Sequence, residues 1–464
     1  MSESTFTHPT PSVCDHKNLT FEPSTYAVEV GYKRPTQAQR AAACTPSGRN
    51  PKKLAASTTS DDPATFPAAQ ILPDDDLALD PSYPPQSLLS WTREKLRNKI
   101  TPERKTIYVA APPGVHPDVS FVQKWNEPQI PRQMISGVSL GSLQIEKIVD
   151  YLSAFYLGLP VKLLPSSSRL QFNSWEDDLN TQETSRKPSK SSSPPYISLN
   201  SSVESTRIRT RSSPSGVYTH QLNLKDLLDA TISLLPEDAY ALLLITSHDL
   251  YEDDDDDFVC GRAYGGSRVA VVSTARYHPG LDEIQGVERL HAWPASHCST
   301  YLQEQAGSSQ PQKKKGVIVP IRAGHSSVTQ EHSPIAVAVD AYRKAYSVPT
   351  PTALLSLLTY RVAHTASHEL AHCFGLDHCV YFACIMQGSA SIQEDARQPP
   401  YLCPVDLAKI LRATNTTKAE RDLKLKRFCD KNGLVWSAFG AWLGARYASF
   451  ENQSEHTEVI VIDD

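Results

Sequence analysis

Residues 368–378 constrain this chain more than any other stretch, because their sequence is HELAHCFGLDH. His368 and His372 are four positions apart, so on a helix they share one face and both imidazoles can reach one small cation. Glu369 follows the first histidine, where its carboxylate can act as a general base beside such a cation. The stretch therefore predicts a helix that carries a metal centre.

A third histidine can complete this centre. Gly375 can adopt the left-handed conformation that ends a helix, and the turn would bring His378 back toward His368 and His372. Three protein ligands leave one tetrahedral position to water, which is typical of a catalytic zinc rather than a structural one. His364 lies on the same helix face, but three histidines over two helical turns span about 12 Å. We therefore expect His364 to lie in the pocket or behind the ligands, without binding the ion itself.

The residues after the helix extend the motif. Cys379, Cys384 and Met386 follow the third histidine, and Cys403 and Asp406 come later. This order resembles the archaemetzincins, a branch of the metzincin metallopeptidases, whose pattern is H-E-x-x-H-x-x-G-x-x-H-C-x4-C-x-M followed by C-x-x-C. The resemblance implies that Met386 is the methionine of the Met-turn, the apolar floor beneath the catalytic zinc.

The same resemblance implies a second, structural zinc. Four cysteines hold it in the family; here Cys379, Cys384 and Cys403 match, whereas Asp406 occupies the fourth place. A carboxylate oxygen can bind zinc, although thiolates suit the ion better. Cys429 is the alternative fourth ligand, and three reduced cysteines that only pack together are the alternative to a metal site.

The resemblance implies a zincin- or metzincin-like fold of the α/β (α+β) class. Such a fold has a mixed twisted sheet with packed helices, an active-site helix and a small helical C-terminal subdomain after the Met-turn. Apolar patterns agree with this fold class, because strand-like and helical runs alternate between residues 106 and 246.

Composition divides the chain into segments. Residues 1–103 are polar and rich in Pro, Ser and Asp, so we expect this N-terminal region to be largely disordered. Residues 104–447 are expected to form the metallopeptidase domain, with low-complexity insertions at about 165–216 and 303–334. Residues 448–464 form a polar, acidic tail.

A hairpin pattern precedes the metal motif. Two strand-like runs flank Gly265-Gly266, and the second is Arg268–Ser273. In metzincins an edge strand borders the cleft and pairs with extended substrate, so the resemblance implies this role for the first run; an ordinary hairpin is the alternative. The first run consists of Phe258, Val259, Cys260, Gly261, Arg262 and Ala263.

Charge and cysteine content indicate the binding partners and the cellular compartment to expect for the protein. The net charge of −5 gives no indication of nucleic-acid binding, and no apolar run has the length of a membrane span. The first residues lack the pattern of a secretory signal. The nine cysteines are odd in number and several lie around the metal motif, which fits a reducing compartment. We expect an intracellular protein, cytoplasmic or nuclear, with no evident oligomerisation signal. Cys14 and His16 form an isolated C-x-H pair that does not by itself predict a metal site.

These patterns converge on a zinc-dependent peptidase. A zinc-activated water, with Glu369 as general base, would hydrolyse bonds in a peptide or protein substrate. Two alternatives stay open: an aminopeptidase of narrow specificity, and a catalytically weak or inactive zinc scaffold that serves as an interaction protein.

Overall fold

The computed structural model describes residues 14, 16–50, 63–130, 140–165, 168–175, 194–307, 332–345 and 350–455. The strands, in chain order, are β1 (Thr106–Ala110), β2 (Gly114–Val115), β3 (Val161–Leu163), β4 (Gln171–Ser174), β5 (Tyr196–Asn200), β6 (Ser205–Ser212), β7 (His220–Asn223), β8 (Ala239–Thr246), β9 (Asp249–Tyr251), β10 (Gly261–Tyr264) and β11 (Val269–Ser273). The helices are α1 (Thr25–Glu29), α2 (Gln37–Ala43), α3 (Asp76–Leu79), α4 (Leu88–Arg93), α5 (Ile145–Phe155), α6 (Leu224–Ser233), α7 (Ser299–Gly307), α8 (Pro334–Ala345), α9 (Pro351–Cys373), α10 (Ile392–Arg397), α11 (Pro404–Thr414), α12 (Lys418–Asn432) and α13 (Trp436–Glu455).

The first sheet has the strand order β10-β11-β8-β1-β3. Its four strands β11, β8, β1 and β3 are parallel, and β10 pairs antiparallel with β11 at the edge. Strands β8 and β11 are buried along their whole length, which explains their unbroken apolar sequences. The predicted mixed sheet with packed helices is therefore present.

A second sheet, in the order β2-β4-β5-β6-β7-β9, corrects the prediction of a low-complexity insertion at 165–216. Strands β4, β5 and β6 lie within that range, and residues 166–167 and 176–193 fall outside the described part of the chain. These strands bury the apolar side chains of Phe172, Ile197, Leu199 and Ile208. Many of the neighbouring Ser, Thr and Arg side chains are not buried. An antiparallel sheet needs only one apolar face, so a polar average composition concealed the strands.

Helix α9 is the central helix and carries the metal motif. Thr350 caps it by accepting a hydrogen bond from the Ala353 amide, and Pro351 takes the first helical position. The helix packs against α5, β10 and β11 and buries most of its circumference. It ends at Cys373, and Gly375 follows with φ of +78°. That left-handed turn redirects the chain toward His378, as the sequence predicted.

The N-terminal region contradicts the prediction that residues 1–103 are largely disordered. Helices α1–α4 lie within it, and Phe66 and Trp91 are each 1 % exposed in the main core. Phe66 contacts Trp442 edge-on, and the Trp91 indole donates a hydrogen bond of 2.9 Å to the Phe374 carbonyl. A small separate apolar cluster consists mainly of residues of this region, and its other buried residues pack against the main core. The region is therefore ordered both by its own apolar contacts and by those with the rest of the protein.

The C-terminal part contains one helix that the sequence patterns did not indicate. Helix α13 packs on α8 and α12, and Trp436, Phe439 and Trp442 are buried on it. It continues to residue 455, so the predicted acidic tail at 448–464 begins inside a helix. Most of the insertion predicted at 303–334, residues 308–331, lies outside the described residues.

None of the described helices is both long and apolar enough to span a bilayer.

Candidate metal centre

The three motif histidines converge. One ligand atom each from His368, His372 and His378 lies within 4.8 Å of the others. The Nε2 atoms of His368 and His372 are 3.0 Å apart, and the His378 ring centroid is 5.4 Å and 5.1 Å from those of His368 and His372. Helix spacing brings the first two together, and the turn at Gly375 brings the third.

Backbone carbonyls set the protonation of two of these rings. Nδ1 of His368 lies 2.6 Å from the Ile385 carbonyl, and Nδ1 of His372 lies 2.7 Å from the Leu376 carbonyl. A carbonyl only accepts, so each Nδ1 donates its proton and each neutral ring keeps a lone pair on Nε2. Two lone pairs therefore face each other at 3.0 Å. A cation between them removes this repulsion, so the donor set fits a metal ion.

Burial favours the neutral rings that a metal requires. It lowers the pKa of His378 to about 4, and His372 adds to this effect. Burial also lowers the pKa of His368 well below its ordinary value, with further contributions from His372 and His378. Because a metal binds the neutral imidazole, the site is preorganised for an ion.

Glu369 is buried beside the histidines and is 8 % exposed. Burial raises the pKa of its carboxyl to about 8, whereas the positive charge of Arg262 opposes the shift. Gly261 of β10 lies against it, because a Cβ at that position would be 3.3 Å from the Glu369 Cγ. A carboxyl with a pKa near neutrality is suited to take up and release a proton.

The site opens into a cleft of about 1010 Å³. Residues 258–263, predicted as the edge strand, line one side, and parts of segment 387–398 line another. Regular pairing begins only at Gly261, because Val259 instead forms a bridge with Leu250. Residues 252, 253 and 255–257 also reach the cleft, and Arg262 pairs with Glu252 at 2.8 Å.

His364 stays apart from the three-histidine group, in agreement with the sequence prediction that it does not bind the ion. Its Nε2 lies 3.2 Å from the Pro399 carbonyl, and its Nδ1 is 3.7 Å from Asp395 Oδ1. Burial lowers the pKa of this ring. His364 thus contacts the segment after α10 from behind the cleft.

A second group contains Cys379, Cys384, Cys403 and Asp406, whose ligand atoms also lie within 4.8 Å of one another. The Cys379 and Cys403 sulfurs are 3.6 Å apart, and Asp406 Oδ2 is 3.2 Å from Cys403 Sγ. All four residues are buried. Cys429 is buried on α12 and is not part of this group, so the geometry favours Asp406 as the fourth donor.

Met386 connects the two groups and is 0 % exposed. Its carbonyl accepts a hydrogen bond of 2.6 Å from the Cys379 amide, and the preceding residue, Ile385, holds His368. The segment at Met386 therefore contacts both the histidine group and the cysteine group.

Two polar residues at the sites were missed by the sequence analysis. Lys409, 1 % exposed, donates a hydrogen bond of 2.8 Å to Asp406 Oδ1 and another of 2.8 Å to Gln86 Oε1. Gln86 also accepts from the Asp377 amide at 3.2 Å and donates to the Gly375 carbonyl at 2.9 Å. Lys409 follows Asp406 by three positions on α11, so the sequence could have predicted that these two side chains pair. No sequence pattern could have predicted the contact with Gln86, because Gln86 is far from both residues in the sequence.

Replacing Gln86 with alanine is expected to lower the free energy of unfolding by about 1–3 kcal/mol, because the Lys409 ammonium and the Gly375 carbonyl lose a partner. The turn before His378 would also lose a support, so zinc affinity at the histidine group should fall. Denaturant unfolding and zinc titration measure the two effects. Gln303→Ala on the exposed face of α7 is the control, with a change within about 0.5 kcal/mol. Equal values for both variants would contradict the expectation.

The fold and these groups define a candidate metal centre of the H-E-x-x-H type on a mixed α/β scaffold. The family described as peptidase family M54 matches residues 343–412, which contain the metal motif and the cysteine group. The chain is similar to the archaemetzincins, and the resemblance carried by the motif is confirmed.

Individual archaemetzincins are also similar to this chain. Human archaemetzincin-2 is 31 % identical over 214 residues, which cover 46 % of this chain and 48 % of that protein. Mouse archaemetzincin-2 is 25 % identical over 354 residues, covering 73 % and 76 % of the two chains. The first curated relatives are matched over about half of their length (47 % and 51 %). The crystal structure of archaemetzincin from Methanopyrus kandleri is similar with a TM-score of 0.29 and 19 % identity, over 68 % of this chain and 97 % of that one.

Proposed function

We propose that this protein is a zinc-dependent peptidase. His368, His372 and His378 would hold the ion, and Glu369 would act as the general base. One observation carries the proposal: two imidazole lone pairs face each other at 3.0 Å in a cleft that Glu369 also lines. The match to peptidase family M54 supports the same assignment.

The chemistry divides between the ion and the protein. Zinc, when bound, acts as a Lewis acid that polarises a carbonyl and lowers the pKa of a water molecule. Glu369 accepts a proton from the attacking water and passes it to the leaving amine. The ordinary pKa of a carboxyl is too low for this exchange at neutral pH, and burial raises that of Glu369 toward the required range.

Strand β10 would orient the substrate. It is an edge strand, so its outer backbone groups can pair with an extended peptide. Gly261 has no Cβ that would crowd Glu369, which leaves room for the scissile bond. Met386 would form the apolar floor of a Met-turn, and the helices that follow it would be the small C-terminal subdomain below the cleft.

The cysteine group would hold a second, structural zinc. Three thiolates and the Asp406 carboxylate together carry more negative charge than one divalent ion neutralises. The ammonium of Lys409 lies 2.8 Å from Asp406 Oδ1 and offsets part of the excess. Because Cys379 follows His378 directly, an ion in this group would also restrain the third histidine of the first centre.

Replacing His378 with alanine is expected to remove the zinc of the histidine group, because two nitrogens remain where three are needed. Metal analysis should show a loss of one equivalent per chain. Cobalt substitution should retain the thiolate-to-cobalt absorption of the cysteine group. His116→Ala, at a half-exposed N-cap, should keep all of its zinc. Full zinc content in the His378 variant would refute its role as a ligand.

Cleavage of a diverse peptide library, read by mass spectrometry, tests the function. Zinc-loaded protein should cleave internal bonds, and chelator-stripped protein should not until zinc is restored. Stepwise loss of N-terminal residues would instead establish an aminopeptidase. Absence of cleavage with both groups metal-loaded would overturn the peptidase proposal in favour of a scaffold.

A further inference from the structure

We propose a third metal site, in which Cys14, His16 and Cys298 bind Zn²⁺. One ligand atom each from Cys14, His16 and Cys298 lies within 4.8 Å of the others. Cys14 and His16 come from the N-terminal segment, whereas Cys298 lies between β11 and α7. The group shares no residue with the two centres described above.

Backbone pairing places the N-terminal ligands beside Cys298. Leu19 forms an antiparallel bridge with Cys298, and the Thr20 amide donates a hydrogen bond of 2.8 Å to the His297 carbonyl. The Ser299 amide donates to the Asn18 carbonyl at 2.9 Å. These contacts need no metal, so the thiols and the imidazole meet in a site that is already formed. This preorganisation reduces the entropy lost when an ion binds.

His16 is stacked on a second histidine, His291, whose ligand atoms lie outside the group of three. His291 Nδ1 lies 2.7 Å from Glu288 Oε1, and a carboxylate accepts, so the neutral ring keeps its lone pair on Nε2. Among the described residues this buried Nε2 has no hydrogen-bond partner. His16 stacks on His291 with ring centroids 5.1 Å apart, and its Nε2 lies 3.2 Å from the Leu290 carbonyl. Because a carbonyl only accepts, Nε2 of His16 donates its proton and Nδ1 keeps the lone pair; the Cys14 backbone also lies near this ring. Carboxylates and carbonyls typically orient ligand histidines in this way.

The donor set selects the ion. Two thiolates with one imidazole nitrogen suit zinc, whereas calcium and magnesium prefer oxygen donors. An ion here would fasten the N-terminal segment to the loop before α7. That loop supports α10 at the cleft, because the Trp293 amide donates to the Ala396 carbonyl at 2.9 Å and the Ser296 hydroxyl donates to the Arg397 carbonyl at 3.0 Å. The site would thus stabilise one wall of the cleft from outside.

Alkylation of Cys14 in the full-length protein tests the site. With iodoacetamide and a mass-spectrometric readout, Zn²⁺ should slow the labelling of wild-type Cys14 by at least about tenfold, because a bound thiolate is not free to react. His16→Ala should lose most of this protection. Metal analysis should show one equivalent less zinc in Cys14→Ser and in His16→Ala. Cys44→Ser, a half-buried cysteine outside every ligand group, should match the wild type.

Each possible result of these experiments either supports or overturns the proposed zinc site. Protection by zinc that depends on His16, with loss of one equivalent, supports it. Equal labelling with and without zinc overturns it, and so does recovery of a cross-linked Cys14–Cys298 peptide, which would identify a disulfide. Cys14 and His16 are only partly buried, so their variants should fold. Because the readout is the labelling of Cys14, it does not depend on peptidase activity.

Discussion

Replacing Glu369 with glutamine is expected to lower kcat/KM for peptide hydrolysis by about 10²–10⁴-fold, because the amide cannot accept a proton from water. The side chain keeps its shape, so zinc content should be unchanged. Glu369 is not among the grouped ligand atoms, and no carboxylate oxygen is needed to complete the three-histidine set. Steady-state kinetics on the best peptide of the library, together with metal analysis, measures both parts of the expectation.

Glu394→Gln is the matched control for this variant. Glu394 is also buried, and burial also raises the pKa of its carboxyl to about 8. However, it accepts hydrogen bonds from the Asp76 and Ala390 amides at 2.9 Å and 2.8 Å, and a glutamine oxygen can accept these as well. The kcat/KM of the Glu394→Gln variant should therefore stay close to the wild-type value. If the Glu369 variant hydrolyses peptide at the wild-type rate with its zinc in place, the general-base assignment is wrong.

Replacing Lys409 with methionine is expected to lower the free energy of unfolding of zinc-free protein by about 3–5 kcal/mol. Lys409 and Asp406 are each 1 % exposed and 2.8 Å apart, so the variant leaves a buried carboxylate without its cation. Burial already raises the pKa of Asp406 to about 6, with Cys379 adding to the shift and Lys409 opposing it. Denaturant unfolding of chelated protein gives the free energy.

A surface pair separates this effect from the loss of any lysine. Lys426 and Asp430 on α12 are also paired, but their side chains are 38 % and 56 % exposed, so Lys426→Met should cost less than about 1 kcal/mol. Adding Asp406→Leu to the Lys409 variant should recover much of the lost stability, because the unpaired charge is removed. If the two lysine variants are equally stable, the buried pair does not stabilise the fold.

Local patterns in the sequence were sufficient to predict part of the histidine group. Residues four positions apart on a helix share a face in any fold, so the spacing of His368 and His372 determined that their rings meet. Gly375 determined the left-handed turn, because a glycine at φ of +78° avoids the strain that a Cβ brings. Strand β1 was also predictable, since a run of β-branched and aromatic residues favours a strand wherever it packs.

Contacts between distant residues were decided only by the tertiary structure. The carbonyls of Ile385 and Leu376 set the ring protonation of His368 and His372, and no side-chain pattern encodes where a carbonyl points. Gln86 and Lys409 meet from opposite ends of the chain, and Cys14 approaches Cys298 in the same way.

The order of the N-terminal region and of the second sheet was also a tertiary outcome. Their sequences are polar on average, and a composition argument tests only whether a segment can build its own core. Trp91 and Phe172 are instead buried against surfaces that other parts of the chain provide. Local spacing thus determined that the motif histidines and the cysteines that follow them could form groups. Long-range packing decided their partners and how much of the chain is ordered around them, because burial depends on surfaces that no local pattern contains.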